Sequence, residues 1–202
     1  ATLPRSDAWN IPWGGSMAIT RATLEALRLP ALWDRALDDD IVLGLAARRH
    51  GLTITCPQSL LVPSPAAMSW REAFAFGRRQ YLFTRWYAPK HWLLAAAGTT
   101  LPLIGWAVAL PLAATGNIAA IATILLANAL DQVRASLRQQ VPRKLWGTGM
   151  PARMALADRF ATPKILAFHA AIVWSTLFGR SMIWGGRRYH LDSARQVVRV
   201  ET

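Results

Sequence analysis

From Trp92 to Leu130 the chain carries no Asp, Glu, Lys or Arg. One membrane-crossing helix needs roughly 20 apolar residues, so this run is about twice as long as a single span requires. A water-soluble core has no use for so long a stretch without charge. Gly116-Asn117, near its middle, is a turn-forming pair. The pattern therefore predicts a transmembrane helical hairpin over 92–138, with limbs at about 92–114 and 117–137, the second limb the weaker. Basic residues flank it: Arg78, Arg79, Arg85 and Lys90 before, Arg134, Arg138, Arg143 and Lys144 after. Cytoplasmic positive charge accumulates in just such positions. The composition agrees, at 53% hydrophobic and only 17% charged over 202 residues. The net charge of +12 thus follows the membrane flanks, and with no nucleic-acid-binding signature present the reading excludes nucleic acid as a partner.

Upstream, residues 1–66 read as a soluble α/β portion. Trp13-Gly14-Gly15-Ser16 is a glycine-permitted turn, followed by a short strand from Ser16 to Thr20. Thr20 is a good N-cap for a helix over Arg21–Leu27 that stops before Pro30. Asp38-Asp39-Asp40 opens a second helix that ends in Arg48-Arg49-His50-Gly51, acid first, base last and glycine beyond. Thr53-Ile54-Thr55-Cys56 is a second short strand. Cys56 is the only cysteine, so no intrachain disulfide forms; it reads as a small buried apolar residue in a reducing compartment. The chain opens at Ala1 with no initiator methionine and no signal peptide, and reads as the later part of a longer protein.

Residues 67–91 read as an amphipathic helix lying in the membrane interface. Arg71, Arg78 and Arg85, spaced by sevens, share one stripe, and Trp70, Ala73, Phe74, Gly77 and Tyr81 form the apolar face beside it. Beyond the hairpin, 139–164 is a basic loop in which Pro142, Gly147, Gly149 and Pro151 break any long helix. A third membrane segment follows at 165–186, interrupted by Arg180; it either spans by extending to Trp184 or lies in the interface. Residues 187–202 form the tail.

Three adjacent carboxylates repel one another. One reading of Asp38–Asp40 is an acidic helix cap; the other makes one of them a general base, the kind of group that takes a proton from a sugar or lipid hydroxyl. The arginines read as interfacial anchors, Arg71 and Lys90 above all, yet a planar guanidinium also binds diphosphate bidentately and neutralises an anionic leaving group. Trp86 is either a belt residue or a stacking floor for a sugar ring. The four histidines have no metal-ligand spacing, and no serine, cysteine or glycine loop has a nucleophile or phosphate-loop context.

In this order the segments resemble the C-terminal half of a membrane-bound family 2 glycosyltransferase, in its ceramide glucosyltransferase-like branch. Trp13-Gly14-Gly15-Ser16-Met17-Ala18-Ile19 resembles the family's acceptor-side turn and strand. Leu37-Asp38-Asp39-Asp40-Ile41-Val42-Leu43 with Arg49-His50-Gly51 resembles its acidic pair, leucine, helix and glycine. Arg79-Gln80 and Arg85-Trp86 resemble its motif of glutamine or arginine, two residues, arginine, tryptophan, although Gln80 stands two places before the usual position, here Leu82. Ile183-Trp184-Gly185-Gly186-Arg187-Arg188-Tyr189 is similar to a C-terminal signature of the bacterial enzymes.

The resemblance implies the C-terminal part of a GT-A, Rossmann-like α/β domain, then an interfacial helix and two to three transmembrane helices. It implies an inverting transfer of a hexose from a nucleotide sugar, expected to be a UDP-sugar, to a ceramide-like lipid at the cytoplasmic face of a bacterial membrane. Asp40 takes the base position and Asp39 the acid before it; Arg79, Gln80 and Arg85 face the donor diphosphate; Trp13, Gly14, Gly15, Ser16 and Trp86 face the acceptor. A divalent cation, Mg or Mn, is implied, with its main ligands in the family's nucleotide-binding half, expected upstream of Ala1. The isolated chain is accordingly expected not to transfer sugar by itself. The alternatives are a processive polysaccharide synthase of the cellulose or hyaluronan type and a non-catalytic membrane anchor or subunit.

Overall fold

A computed structural model describes residues 10–12, 17–57, 68–192 and 196–201. Its described residues form eight helices and one three-stranded sheet, in two compact units. The first unit is Ala1–Val62, Ala66–Leu93 and Ser175–Thr202; the second is Pro63–Pro65 and Leu94–Trp174.

The first unit opens with α1 (Arg21–Ala26), capped by the Thr20 side chain accepting from the Thr23 N–H. Helix α2 (Leu29–Trp33) follows directly, and α3 (Asp39–Arg49) carries Asp39 and Asp40 in its first turn and Arg48 and Arg49 in its last. Leu27, Leu29, Leu43 and Ala46 close these three helices around a small core. Helix α4 (Trp70–Tyr87) starts on a capping box: the Ser69 N–H donates to Glu72 Oε2 at 2.8 Å and the Glu72 N–H donates to Ser69 Oγ at 3.3 Å. Only Ala88 separates it from α5 (Pro89–Ala114). Trp70, on the apolar face expected from the sequence, is exposed; the face that packs is Leu82, Phe83 and Trp86.

The partner of that face is the sheet β1 (Ser181–Trp184), β2 (Arg187–Leu191) and β3 (Val197–Glu201), antiparallel in the order β1-β2-β3. Gly185 and Gly186 join β1 to β2 with φ of 56° and 77°, the left-handed pair that a two-residue hairpin turn requires. Met182 and Leu191 point inward onto Leu82, Phe83 and Trp86, with Leu37, Ile41, Tyr87 and Tyr189 around them. Arg35, at φ 57°, exchanges bonds with Val197: its Nε donates to the Val197 carbonyl and its own carbonyl accepts from the Val197 N–H, both at 2.8 Å.

These elements overturn the expected fold class. The described residues form a mostly helical protein with a small C-terminal antiparallel sheet, and they contain no Rossmann-like parallel sheet. Met17–Thr20 and Thr53–Cys56 form no strand and pair with none among the described residues. Their polar groups are used otherwise: the Ile54 carbonyl accepts from Asn10 Nδ2 at 2.9 Å, and the Thr20 side chain caps α1. A four-residue run of β-formers becomes a strand only where a neighbour completes its ladder. Cys56 is exposed rather than buried.

Helix α5 is joined to α6 (Ile118–Trp146) by the short turn at Thr115–Asn117. Gly116 has φ 82°, and Asn117 caps α6 by accepting from the Ala120 N–H at 3.0 Å. Helix α6 runs through Pro142, expected to break it, and stops at Gly147 with φ 69°. Pro142 removes the bond to the Arg138 carbonyl and sets its ring against that carbonyl, yet the helix continues for one more turn. Both helices are long and apolar enough to cross a membrane, and only 11% of each apolar 18-residue window is buried. The charged end of α6 is matched by α7 (Ala152–Phe160). Asp158 takes Arg134 at 3.3 Å and Arg138 at 3.2 Å, and Arg159 donates to Gln132, Ser136 and Gln139. The third apolar run forms only the 13-residue α8 (Thr162–Trp174), shorter than a span, and its remainder enters β1.

Candidate functional site

The acidic trio divides its work by position. Asp38, buried, is the N-cap of α3: its Oδ1 accepts from the Ile41 N–H at 2.7 Å. Asp39, exposed, and Asp40, half-buried, then occupy the first turn, where the helix dipole favours negative charge. Burial pushes the Asp38 carboxyl from 3.8 up to about 6; the bond from Ile41 opposes the rise and the charges of Asp40 and Asp39 add to it. Its folded pKa therefore lies above its unfolded one, and between the two the folded chain binds more proton. Stability falls with pH across that window: this carboxyl's contribution is complete below 3.8 and lost as pH rises through about 6. Asparagine caps a helix about as well as aspartate. Asp38→Asn is thus expected to melt closer to wild type at pH 4 and above it at pH 7. Parallel thermal melts with a pH-independent difference would refute that assignment.

The trio is held against the end of α4. The Leu37 N–H donates to the Tyr87 hydroxyl at 3.0 Å, and Ile41 packs in the cluster that contains Trp86. Trp86 is 6% exposed, its ring enclosed by the core rather than open to solvent. Arg85, beside it, turns its guanidinium to the segment before β1, donating through Nη1 to the Leu177 carbonyl and through Nη2 to the Gly179 carbonyl. Burial, then the neighbouring Arg180 and Arg78 guanidiniums, hold its pKa below the ordinary value. Arg85 and Arg180 thus feel each other's charge near the C-terminal end of α4, and Arg78 acts from about two turns back on the same helix. Arg79 lies over the Phe76 ring at 5.4 Å, and Gln80 is half-buried, its carbonyl accepting from Thr84 Oγ1 at 2.9 Å.

Trp13, Gly14, Gly15 and Ser16 lie outside the described residues. The segment just before them is fixed on α3: Arg48 Nη2 donates to the Asn10 carbonyl at 2.5 Å, and a Cβ built on Gly44 would meet Pro12 Cδ at 3.0 Å. The structure therefore brings the Asp38–Asp40 turn together with the Arg85-Trp86 turn. Sequence reasoning missed Arg180, read only as an interruption of an apolar run, and Tyr87, whose role depends on a contact 50 residues away. Asp38's capping role was legible, since the carboxylate stands three residues before the N–H it receives.

No group of three or more His, Cys, Asp or Glu side chains among the described residues is arranged to hold a metal ion. With Asp38 engaged as a cap, the trio does not by itself supply the ligands of the implied divalent cation. Compared with protein-family models, with curated proteins and with solved structures, the chain matches none.

Proposed function

We propose that this chain is the acceptor-side, membrane-anchored part of an inverting glycosyltransferase that moves a hexose from a nucleotide sugar to a membrane lipid. The observation that carries the reading is that Ile41, one residue after Asp40, packs against the core cluster that contains Trp86, one residue after Arg85. In this reading Asp40 removes the proton of the acceptor hydroxyl as its oxygen attacks the anomeric carbon. The bond from that carbon to the diphosphate oxygen breaks, and the diphosphate leaves with the electron pair. The guanidiniums of Arg85, Arg78 and Arg180 meet the charge that develops there. Arg79 and Gln80, about a turn and a half back on α4, flank the donor. Trp86 holds Arg85 in place from within the core, and the turn at Trp13–Ser16 faces the acceptor. No step is assigned to the divalent cation, because the described residues do not make its site.

The acceptor is a lipid because α4 passes through Ala88 straight into α5, one of the two helices apolar enough for a bilayer. The flanking arginines and lysines put the site at the cytoplasmic face. The test uses inverted membrane vesicles from cells expressing the protein from its native locus and from cells lacking it, each given radiolabelled UDP-hexoses. The expected result is label in the organic phase as a lipid bearing one sugar of inverted anomeric configuration, in the first vesicles alone. Label in a polymer instead makes the protein a processive synthase. Equal labelling with and without the locus leaves it an anchor, and either outcome overturns the proposal.

A further inference from the structure

The β1–β2 hairpin carries an apolar and basic edge that the unit's core does not use. Met182 and Leu191 are buried, but Phe178 is 79% exposed, Ile183 62% and Trp184 51%. Register sets Ile183 beside Arg188 and Trp184 beside Arg187, around the Gly185-Gly186 turn, with Arg180 at the base of the hairpin. Glu201 on β3 approaches Arg188 Nε at 3.9 Å, so the edge is positive in net rather than in every charge; exposed large apolar side chains beside net positive charge mark a surface for a partner. Aromatic rings and arginines in alternation suit the headgroup layer of a bilayer, the rings entering the interface and the guanidiniums reaching phosphates.

The base of this hairpin is tied to the start of α5. Trp92 Nε1 donates to Thr176 Oγ1 at 2.8 Å, with both residues buried, and Phe178 follows two residues later. Within this unit the hairpin therefore leaves from the point where α5 begins its apolar course. We infer that the edge formed by Phe178, Ile183, Trp184, Arg187 and Arg188 docks on a membrane surface of acidic phospholipid. This rests on the reading that α5 and α6 insert in the bilayer, and is independent of the chemistry at Asp40. Each arginine near an acidic surface strengthens such docking about fivefold.

The test places an environment-sensitive fluorophore at single cysteines in a Cys56→Ser background, in bilayers of zwitterionic lipid with and without acidic lipid. Ile183→Cys labels the edge, Val198→Cys the far strand β3, and Val108→Cys the hairpin. The Val108 label, quenched by lipid-borne quenchers in every bilayer, establishes insertion separately. The Ile183 label is expected to shift to the blue and be quenched only when acidic lipid is present. High salt reverses the shift by screening, and so does Arg187→Gln with Arg188→Gln, while the Val108 signal persists. An Ile183 label that matches Val198 in all bilayers, with Val108 quenched, overturns the docking. An unquenched Val108 label overturns the insertion on which it rests.

Discussion

Asp40→Asn lowers the turnover of lipid glycosylation by roughly 10²- to 10⁴-fold, the usual contribution of a positioned proton acceptor. The choice of Asp40 over its neighbours follows from how the α3 turn uses its carboxylates. Asp38 accepts the Ile41 N–H and is buried in doing so, which commits it to the cap. Asp39 is exposed, whereas Asp40 is half-buried and next to Ile41, which packs against the cluster containing Trp86. Asparagine keeps the size of the side chain but cannot take up a proton, so the loss falls on kcat, with the apparent KM for lipid little changed. Asp40 also helps raise the Asp38 pKa, so removing its charge does not weaken the cap, and the melting temperature stays at or above wild type. Rates and melts on the same variant, made in the full-length protein, decide the matter. Activity within a few-fold of wild type removes Asp40 as the base. A large loss accompanied by a collapse in melting makes the residue structural.

The elements that the sequence made legible are those whose determinants are local. Thr20, Asp38 and Asn117 each cap a helix where the pattern placed one, and Gly116 turns the hairpin. A cap or a left-handed turn is written in two to four adjacent residues. The parallel sheet failed because a strand is not a local object: Thr53–Cys56 has the composition of one and no strand to pair with among the described residues. The C-terminal sheet escaped notice for the converse reason. Ile183-Trp184 completed an apolar run that read as membrane, whereas Gly185-Gly186 allowed the chain to fold back into a hairpin. The site divides in the same way. The acidic turn was visible in sequence, but the turning of Arg85 toward Leu177 and Gly179 depends on a contact more than 90 residues distant.

Trp86→Ala is expected to destabilise the first unit by ~3–5 kcal/mol, the range for deleting a large buried aromatic side chain. The ring lies at the centre of the only cluster that joins α4 to the sheet among the described residues, against Leu82, Phe83, Met182 and Leu191. Leu82 and Met182 are nearly fully buried, so a cavity left there has little room to collapse. Trp86→Phe behaves differently. The indole Nε1 is buried without a hydrogen-bond partner, a state that costs roughly 1–3 kcal/mol. Phenylalanine gives up some contact but removes that orphaned donor, so its net cost should stay below ~1.5 kcal/mol. The pair of variants separates a core residue from a stacking platform. If Trp86 acts by holding Arg85, alanine lowers the denaturation midpoint and the transfer rate together, and phenylalanine restores both. If Trp86 instead stacks on the acceptor, alanine raises KM for the lipid while the denaturation midpoint stays where it was, and the core assignment fails.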